Sequence, residues 1–220
     1  TEITSCLNLS KNVTIVGETD AKIVGKCNGM NIQCKSGITA TLQNLTISFG
    51  LDNSITANLV ESSNNSKLVF ENVTFSGVKA SKDVVCVKSN GTGEFSNVSF
   101  VDCELTNNAC DIFVGVNKVT LKGSTSATVA VENTRVNVAD FTGKVEFFLV
   151  MGNDGVTPKH TLGSAMVVGS RDTSRFSIIN APEGYALAPA AAANKNEINL
   201  VQITPVVKNE NTGAVYGSLM

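Results

Sequence analysis

The sequence contains no tryptophan, one histidine and two tyrosines, and only 16% of its 220 residues are charged. A single imidazole and the lack of any Cys-x-x-Cys pair argue against a Cys/His zinc site. The net charge is −2, without a basic block, so nucleic-acid binding has no electrostatic basis. No apolar run approaches the ~18 residues of a membrane span. We therefore predict no metal, no cofactor, no nucleic-acid partner and no membrane span in this segment.

Catalytic signatures are equally scarce. The sequence has no Gly-x-Ser-x-Gly, no phosphate-binding glycine loop and no Asp-x-Asp-x-Asp-Gly calcium loop. Its apolar residues are mainly Val, Ile, Leu and Ala, accompanied by much Asn, Ser, Thr and Gly. That composition favours strands and turns over helices. From these patterns we assign no catalytic, cofactor-binding or metal residue.

The clearest pattern is an internal repeat. Leu42–Ile47 (LQNLTI), Phe70–Phe75 (FENVTF) and Phe95–Phe100 (FSNVSF) align without gaps. Asn12–Ile15 is an earlier relative, and Val119–Leu121 and Val136–Val138 are weaker later ones. The asparagines are 72 − 44 = 28 and 97 − 72 = 25 residues apart, which suits one turn of two or three short strands.

These repeats predict an all-β fold, a right-handed parallel β-helix in which each turn (a rung) stacks on the next. Apolar residues alternate within each segment, so one face is buried and the Phe residues at 70, 75, 95 and 100 point inward. We expect Asn44, Asn72 and Asn97 to stack at a corner, because Asn tolerates the left-handed conformation there.

The regular rungs are assigned to residues 1–142. Residues 143–220 are predicted to form less regular β rungs or a β cap, of which we favour further rungs, and to end in a linker to another module. The start at Thr1 is interpreted as that of an excised or mature fragment. The strands expected in this part are 144–150, 165–168, 176–179, 185–187 and 198–203, with a turn at 152–155.

The same register predicts several neighbours across rungs. Cys86 (72 + 14) and Cys110 (97 + 13) should lie on adjacent rungs, either as a disulfide or as buried thiols. Lys79 and Glu104 should stack as a solvated ion pair of little energetic value.

The densest acidic group consists of Asp102, Glu104 and Asp111, with Asp83 one rung earlier and stacked over Asn108. We interpret these side chains as surface residues, with a sugar or calcium site as the alternative. No arginine is expected beside an acidic cluster within the regular rungs. His160, which follows Pro158 and Lys159, is predicted to be an exposed loop residue rather than a base.

Several Asn-x-Ser/Thr triplets would be glycan acceptors in a eukaryotic secreted protein. We favour a structural role, because three of them are the corner asparagines. The triplets begin at Asn8, Asn12, Asn44, Asn64, Asn72, Asn90 and Asn97.

Leu9–Gly17 (LSKNVTIVG), together with the three repeats, resembles the pectate-lyase-like β-helix superfamily, and most closely the repeat modules of large bacterial cell-surface proteins. The stretches 142–178 and 184–200 are similar to a recurring β unit in secreted proteins of gut anaerobes. The resemblance implies an extracellular or cell-surface location and neighbouring modules of the same polypeptide.

Two functions remain open at this stage. The first is a non-enzymatic, adhesin-like or structural surface module that binds glycans or host proteins. The alternative is a polysaccharide lyase or glycoside hydrolase on the same scaffold. A groove with two carboxylates and an arginine within ~10 Å would favour the enzyme, and a smooth face would favour the module.

Overall fold

The computed structural model describes residues 1–27, 30–50, 57–80, 86–105, 110–114, 118–203, 206–208 and 215–218. Over these residues the protein is all β, with parallel strands stacked as a β-solenoid, which confirms the predicted fold class. A 3₁₀ helix at Thr173–Arg175 is the helical element of the described chain.

The strands have the following bounds in chain order: β1 Glu2–Ile3, β2 Leu7–Leu9, β3 Val13–Val16, β4 Lys22–Gly25, β5 Ile32–Cys34, β6 Thr39–Phe49, β7 Val60–Ser62, β8 Lys67–Ser76, β9 Lys79–Ala80, β10 Val87–Ser89, β11 Thr92–Ser96, β12 Ser99–Val101, β13 Glu104–Leu105, β14 Ile112–Val114, β15 Val119–Gly123, β16 Ala127–Val131, β17 Val136–Phe141, β18 Val145–Leu149, β19 Ala165–Val168, β20 Phe176–Ile178, β21 Tyr185–Pro189, β22 Glu197–Gln202, β23 Val206–Lys208 and β24 Val215–Ser218.

Two sheets form the walls of the solenoid in the described chain. The first has the order β1-β4-β6-β8-β11-β15-β17-β19-β22-β21, with β3 beside β6 and β12 beside β8. The second is parallel throughout and has the order β2-β5-β7-β10-β14-β16-β18-β20. Strand β9 pairs with β13, and β23 pairs with β24. Consecutive strands of each wall are far apart in sequence because the chain alternates between the walls.

The core lies between the walls and is built from alternating apolar residues. Phe70, Phe75 and Phe95 are fully buried, as predicted, whereas Phe100 is half-buried against the same core. The rings of Phe70 and Phe95 stack with centroids 5.1 Å apart, and those of Phe75 and Phe100 with centroids 5.0 Å apart. The repeat thus places equal residues on top of one another along the axis.

The predicted asparagine corner is confirmed. Asn44, Asn72 and Asn97 have φ values of 55°, 53° and 52°. The Asn72 amide donates to Asn44 Oδ1 at 3.0 Å, and the Asn97 amide donates to Asn72 Oδ1 at 3.0 Å. Each side chain therefore satisfies the next, which explains these three triplets without glycans.

The corner continues beyond the asparagines with other residues. Gly123 (φ 55°) follows Asn97 in the column, and a Cβ at this position would lie 2.1 Å from Asn97 Oδ1. Asp140 (φ 48°) lies at the bulge between β15 and β17 one rung later. Left-handed backbone is thus retained where the sequence repeat has already faded.

Replacing Asn72 by Ala should lower the free energy of unfolding by about 2 kcal/mol, because two amide hydrogen bonds are lost and Ala is strained at positive φ. Asn72→Gly removes the same hydrogen bonds but not the conformational freedom, so it should cost less. Urea denaturation of both variants measures the difference. Equal losses would show that the left-handed backbone contributes nothing at this corner.

One predicted relative of the repeat has a different register. Val13 pairs with Ala40 and Ile15 with Leu42, so Asn12 lies level with Thr39 and not with Asn44. Its side chain accepts a hydrogen bond from the Thr39 N–H at 2.9 Å. Any alternating strand fits the apolar part of the pattern, so four matching letters do not determine the register.

The last third changes its topology part-way. Strands β18 and β20 extend the second wall, and β19 pairs in parallel with β17 of the first. Strand β22 then pairs antiparallel with β19, and β21 antiparallel with β22. The parallel rungs therefore continue into this part of the chain and are followed by the two antiparallel strands β22 and β21.

The cysteine neighbours differ from the prediction. Val87 pairs with Ile112, which aligns Cys86 with Asp111 and not with Cys110. Cys110 packs with Ala130, outside the main core, whereas the Cys86 thiol is buried in that core and interacts with the Cys103 thiol. This contact raises the pKa of Cys86, which burial raises further, and lowers the pKa of Cys103.

We expect Cys86 and Cys103, which are reduced here, to form a disulfide with oxidised glutathione. Closing a loop of 103 − 86 = 17 residues should stabilise the fold by about 3 kcal/mol, since the unfolded chain loses entropy. Non-reducing peptide mapping identifies the link, and Cys103→Ser is the control. A Cys86–Cys110 link would contradict the observed register.

Candidate functional site

The members of the predicted acidic group do not share one environment. Asp102 is exposed at a turn with φ 52°, consistent with a surface role. Glu104 pairs with Lys79 in β9, so the predicted rung register is confirmed there. Asp83 and Asn108 lie outside the described residues. Asp111 is buried, with 7% of its surface exposed, and its prediction as a solvated residue is wrong.

Asp111 is held by the next rung. Its Oδ2 accepts hydrogen bonds from the Thr128 N–H at 2.7 Å and from the Thr128 hydroxyl at 2.9 Å. The Asp111 N–H in turn donates to Thr128 Oγ1 at 2.9 Å. Oδ2 is thereby fixed, whereas Oδ1 makes no hydrogen bond of this set.

The next two rungs continue this column on the outer face of the second wall. Thr128 pairs with Glu146, which pairs with Ser177. Rungs are about 4.8 Å apart, so Asp111 and Glu146 are separated by about 10 Å between Cα atoms. Together with Phe100, Lys144 and Arg175 these residues line a groove of about 520 Å³, here called the carboxylate groove.

Electrostatics distinguish the two carboxylates. Burial, and to a smaller degree the charge of Glu146, raises the pKa of Asp111 from 3.8 to about 6, although the Thr128 hydrogen bonds oppose this change. Glu146 is exposed. The groove therefore combines a buried carboxyl that holds its proton up to mildly acidic pH with a second carboxyl that is exposed.

Cations complete the groove. Arg175 ends the 3₁₀ helix, where it donates to the Thr142 carbonyl at 2.5 Å and lies 3.6 Å from Asp172. Lys144 is exposed at the entry to β18. An arginine from beyond the regular rungs thus lies in a groove with two carboxylates, because the loop before β20 returns to the column of Asp111.

A second column beside the groove is apolar. Phe113 and Phe148 lie two residues beyond Asp111 and Glu146, so they project from the same face. Ala130 lies between them in the ladder. Both rings are half-buried, and the Lys88 ammonium lies 6.0 Å from the Phe113 centroid. Exposed aromatic surface therefore adjoins the polar groove.

His160 is the other departure from the sequence-based expectation. The ring is 4% exposed and not a solvated loop side chain. A bridge between Met151 and Pro158, and the hydrogen bond from Lys159 N–H to the Val150 carbonyl at 2.9 Å, fold this segment back onto the end of β18. Burial lowers the pKa of His160, while the backbone of Ser164 and Thr134 opposes the change.

His160 lines a second cavity, of about 530 Å³, here called the closing pocket. Its other principal residues are Arg135, Ser164, Lys195, Glu197 and Asn199. It lies where β19 meets the antiparallel strand β22. Arg171 stabilises its rim by donating to the Ala190, Ala192 and Lys195 carbonyls.

Thr128, Glu146, Arg175 and Asn199 were missed from the sequence. The alternation in Ala127-Thr128-Val129 and Val145-Glu146-Phe147 does mark Thr128 and Glu146 as outward-facing. No local signal shows that they share a column with Asp111, because the repeat has faded by then.

No protein-family model, curated protein or solved structure matches this chain. In the described part of the chain, no helix has the length and apolar character to cross a membrane. Among the same residues, no three His, Cys, Asp or Glu side chains group together as metal ligands.

Proposed function

We propose that this chain is a surface module that binds glycans in the carboxylate groove. The observation that supports it best is the joint presence there of Asp111, Glu146, Lys144, Arg175 and the ring of Phe100. Polar groups of both signs, next to aromatic surface, are suited to a ligand that has hydroxyl groups and apolar ring faces.

The composition of the groove argues against other ligand classes. Its two carboxylates oppose a polyphosphate, and its charged lining opposes a purely apolar ligand. Thr128 and Ser177 add hydroxyls that both donate and accept. The half-buried Phe113 and Phe148 offer a stacking surface along the same strands.

The same proposal covers the superfamily and the location of the module. The module would be a member of the pectate-lyase-like superfamily, located outside the cell or at its surface, adhesin-like, and carried by a larger bacterial polypeptide. Its support is the asparagine ladder and the LQNLTI, FENVTF and FSNVSF repeats. Surface glycans or host proteins would be its partners.

The joint presence of two carboxylates and an arginine in the groove favours a second candidate function, glycoside hydrolysis. Asp111, with a pKa of about 6, would protonate the leaving oxygen, and Glu146 would activate water.

A glycan array combined with a reducing-sugar assay tests both functions. Binding that Glu146→Gln weakens at least about tenfold, without release of sugar ends, is the result expected for a module. The matched control is Asp102→Asn, which removes an exposed carboxylate at a turn that Asn tolerates. Release of sugar ends that both Asp111→Asn and Glu146→Gln abolish would replace the module by the hydrolase. Absence of any glycan binding would overturn the proposal.

A further inference from the structure

The carboxylate groove lies at a step where the rungs of the solenoid become shorter. In the second wall, paired residues are 112 − 87 = 25 positions apart between β10 and β14, but 129 − 112 = 17 apart between β14 and β16. The shorter rung passes from β15 into β16 through residues 124–126, without counterparts of β12 and β13. In the described chain β12 pairs only with β8, and β13 only with β9, so both strands end the stack at this step.

The step closes one end of the groove. Across the rungs, Leu59, Cys86 and Asp111 occupy successive positions of one column. Leu59 and Cys86 are fully buried in the core, and Asp111 is 7% exposed. Beyond the step, Glu146 and Ser177 of the same column are exposed. A ligand that lies along this column therefore has room towards Ser177 but none beyond Asp111.

Phe100 provides an apolar surface at the closed end. One face of its ring stacks on Phe75 of the preceding rung, with centroids 5.0 Å apart and planes inclined by 8°. No aromatic ring of the described residues stacks on the other face, because the shorter rung has no strand above β12. The side chain is half-buried and lines the groove. An open aromatic face of this size suits the apolar face of one sugar ring.

Asp111 provides a hydrogen-bond acceptor at the same end. Thr128 holds Oδ2 through its N–H and its hydroxyl, at 2.7 Å and 2.9 Å. Oδ1 has no hydrogen-bond partner among the described residues, yet it is not one of the enclosed atoms without a partner, so it is accessible from the groove. A carboxylate with one fixed and one accessible oxygen is suited to accept from a hydroxyl group.

We infer that the carboxylate groove recognises the terminal sugar residue of a glycan chain. The inference rests on the glycan binding proposed above and specifies which part of the glycan is bound. The terminal ring stacks on Phe100, one of its hydroxyls donates to Asp111 Oδ1, and the rest of the chain extends past Ser177. A terminal residue is linked on one side only, so it fits an end that the step closes, whereas an internal residue needs both ends open.

Oligosaccharides attached to a surface through either end test this inference. The probes are the oligosaccharides of the glycan array, among them cellopentaose, xylopentaose and chitopentaose. Each is immobilised through its reducing end and, separately, through its non-reducing end, so each form leaves one chain end free. We expect the protein to bind one of the two forms and to bind the other at least about tenfold more weakly.

Two variants connect this preference to the closed end. Phe100→Leu keeps most of the side-chain volume but removes the aromatic face, and it should weaken binding of the preferred form about tenfold. Asp111→Asn, which is expected to fold stably, replaces the accessible acceptor or its partner by a donor and should also weaken binding. Phe141→Leu is the matched control, because Phe141 is half-buried but does not line the groove. Thermal melting establishes that each variant folds.

The outcomes separate this inference from the proposed function. Equal binding of both immobilised forms would overturn the inference and leave glycan binding intact, because a chain bound through its interior is available in either form. Wild-type binding by folded Phe100→Leu, or by Asp111→Asn, would also overturn it. Absence of binding to either form would overturn both the inference and the proposed function.

Discussion

The Asp111→Asn variant is expected to be more stable than the wild type at about pH 8, by about 2 kcal/mol. The folded pKa of Asp111 is raised from 3.8 to about 6, which corresponds to a cost of up to about 3 kcal/mol for burying the ionised carboxyl. Asparagine retains an oxygen that can accept from the Thr128 N–H and carries no charge. The same substitution should weaken glycan binding.

The direction with pH follows from proton linkage. Between pH 3.8 and about 6 the folded protein holds a proton on Asp111 that the unfolded chain has released, so stability falls as pH rises. Below that window both states are protonated, and above it the full cost is present. The advantage of Asp111→Asn should therefore vanish near about pH 3 and level off above about pH 7.

Urea denaturation of wild type and variant across this pH range provides the measurement. Asp102→Asn is again the control, because that carboxylate is exposed and its removal should change stability little at any pH. Destabilisation by Asp111→Asn at about pH 8 would show that the ionised carboxylate is a structural group and not the strained member of a site.

Replacing Phe70 by Ala should cost about 3–5 kcal/mol. The Phe70 ring is fully buried, stacks on Phe95 at 5.1 Å and meets Phe75 edge-on at 5.5 Å. A cavity in the middle of the column removes contacts on both adjacent rungs, and each rung depends on its neighbours for burial.

Phe70→Leu keeps most of the volume and should cost less than about 1.5 kcal/mol. Denaturant unfolding of the two variants separates the loss of volume from the loss of the aromatic ring. A cost below about 1 kcal/mol for Phe70→Ala would contradict the description of Phe70 as a closely packed residue of the core.

The part of the fold that the sequence determines is the part governed by repetition between neighbouring rungs. Three gapless repeats placed Asn44, Asn72 and Asn97 at one corner, because few residues other than Asn and Gly adopt a positive φ at low cost. The inward Phe residues followed from alternation alone. These features require only a comparison of each segment with the next.

Features that depend on the absolute register or on distant packing could not be predicted. Asn12 matches the sequence of the repeat, but it lies level with Thr39, which is 44 − 39 = 5 residues before the corner position of Asn44. Cys86 and Cys110 are one residue out of register, and Cys86 lies in the main core whereas Cys110 packs outside it. His160 is buried because a loop folds back on β18, a contact without any local signal.

The candidate site illustrates the same limit. Asp111 was recognised as acidic, but Thr128 in the next rung holds its carboxylate. Its raised pKa is caused mainly by burial and to a smaller degree by Glu146 in the rung after that. Both Thr128 and Glu146 lie where the sequence repeat is no longer recognisable, although the stacked strands continue. The sequence shows that these residues are polar, but it does not show that they stack in one column with Asp111.

The most direct test of the glycan-binding account is a map of amide chemical shifts when an oligosaccharide retained on the array is added to the protein. The account predicts saturable shifts along the column of Thr128, Glu146 and Ser177 and at Phe148 beside it, reduced in Glu146→Gln. Shifts restricted to the outer face of β6 and β8, or to the surroundings of His160, would contradict the proposal that the carboxylate groove is the glycan site.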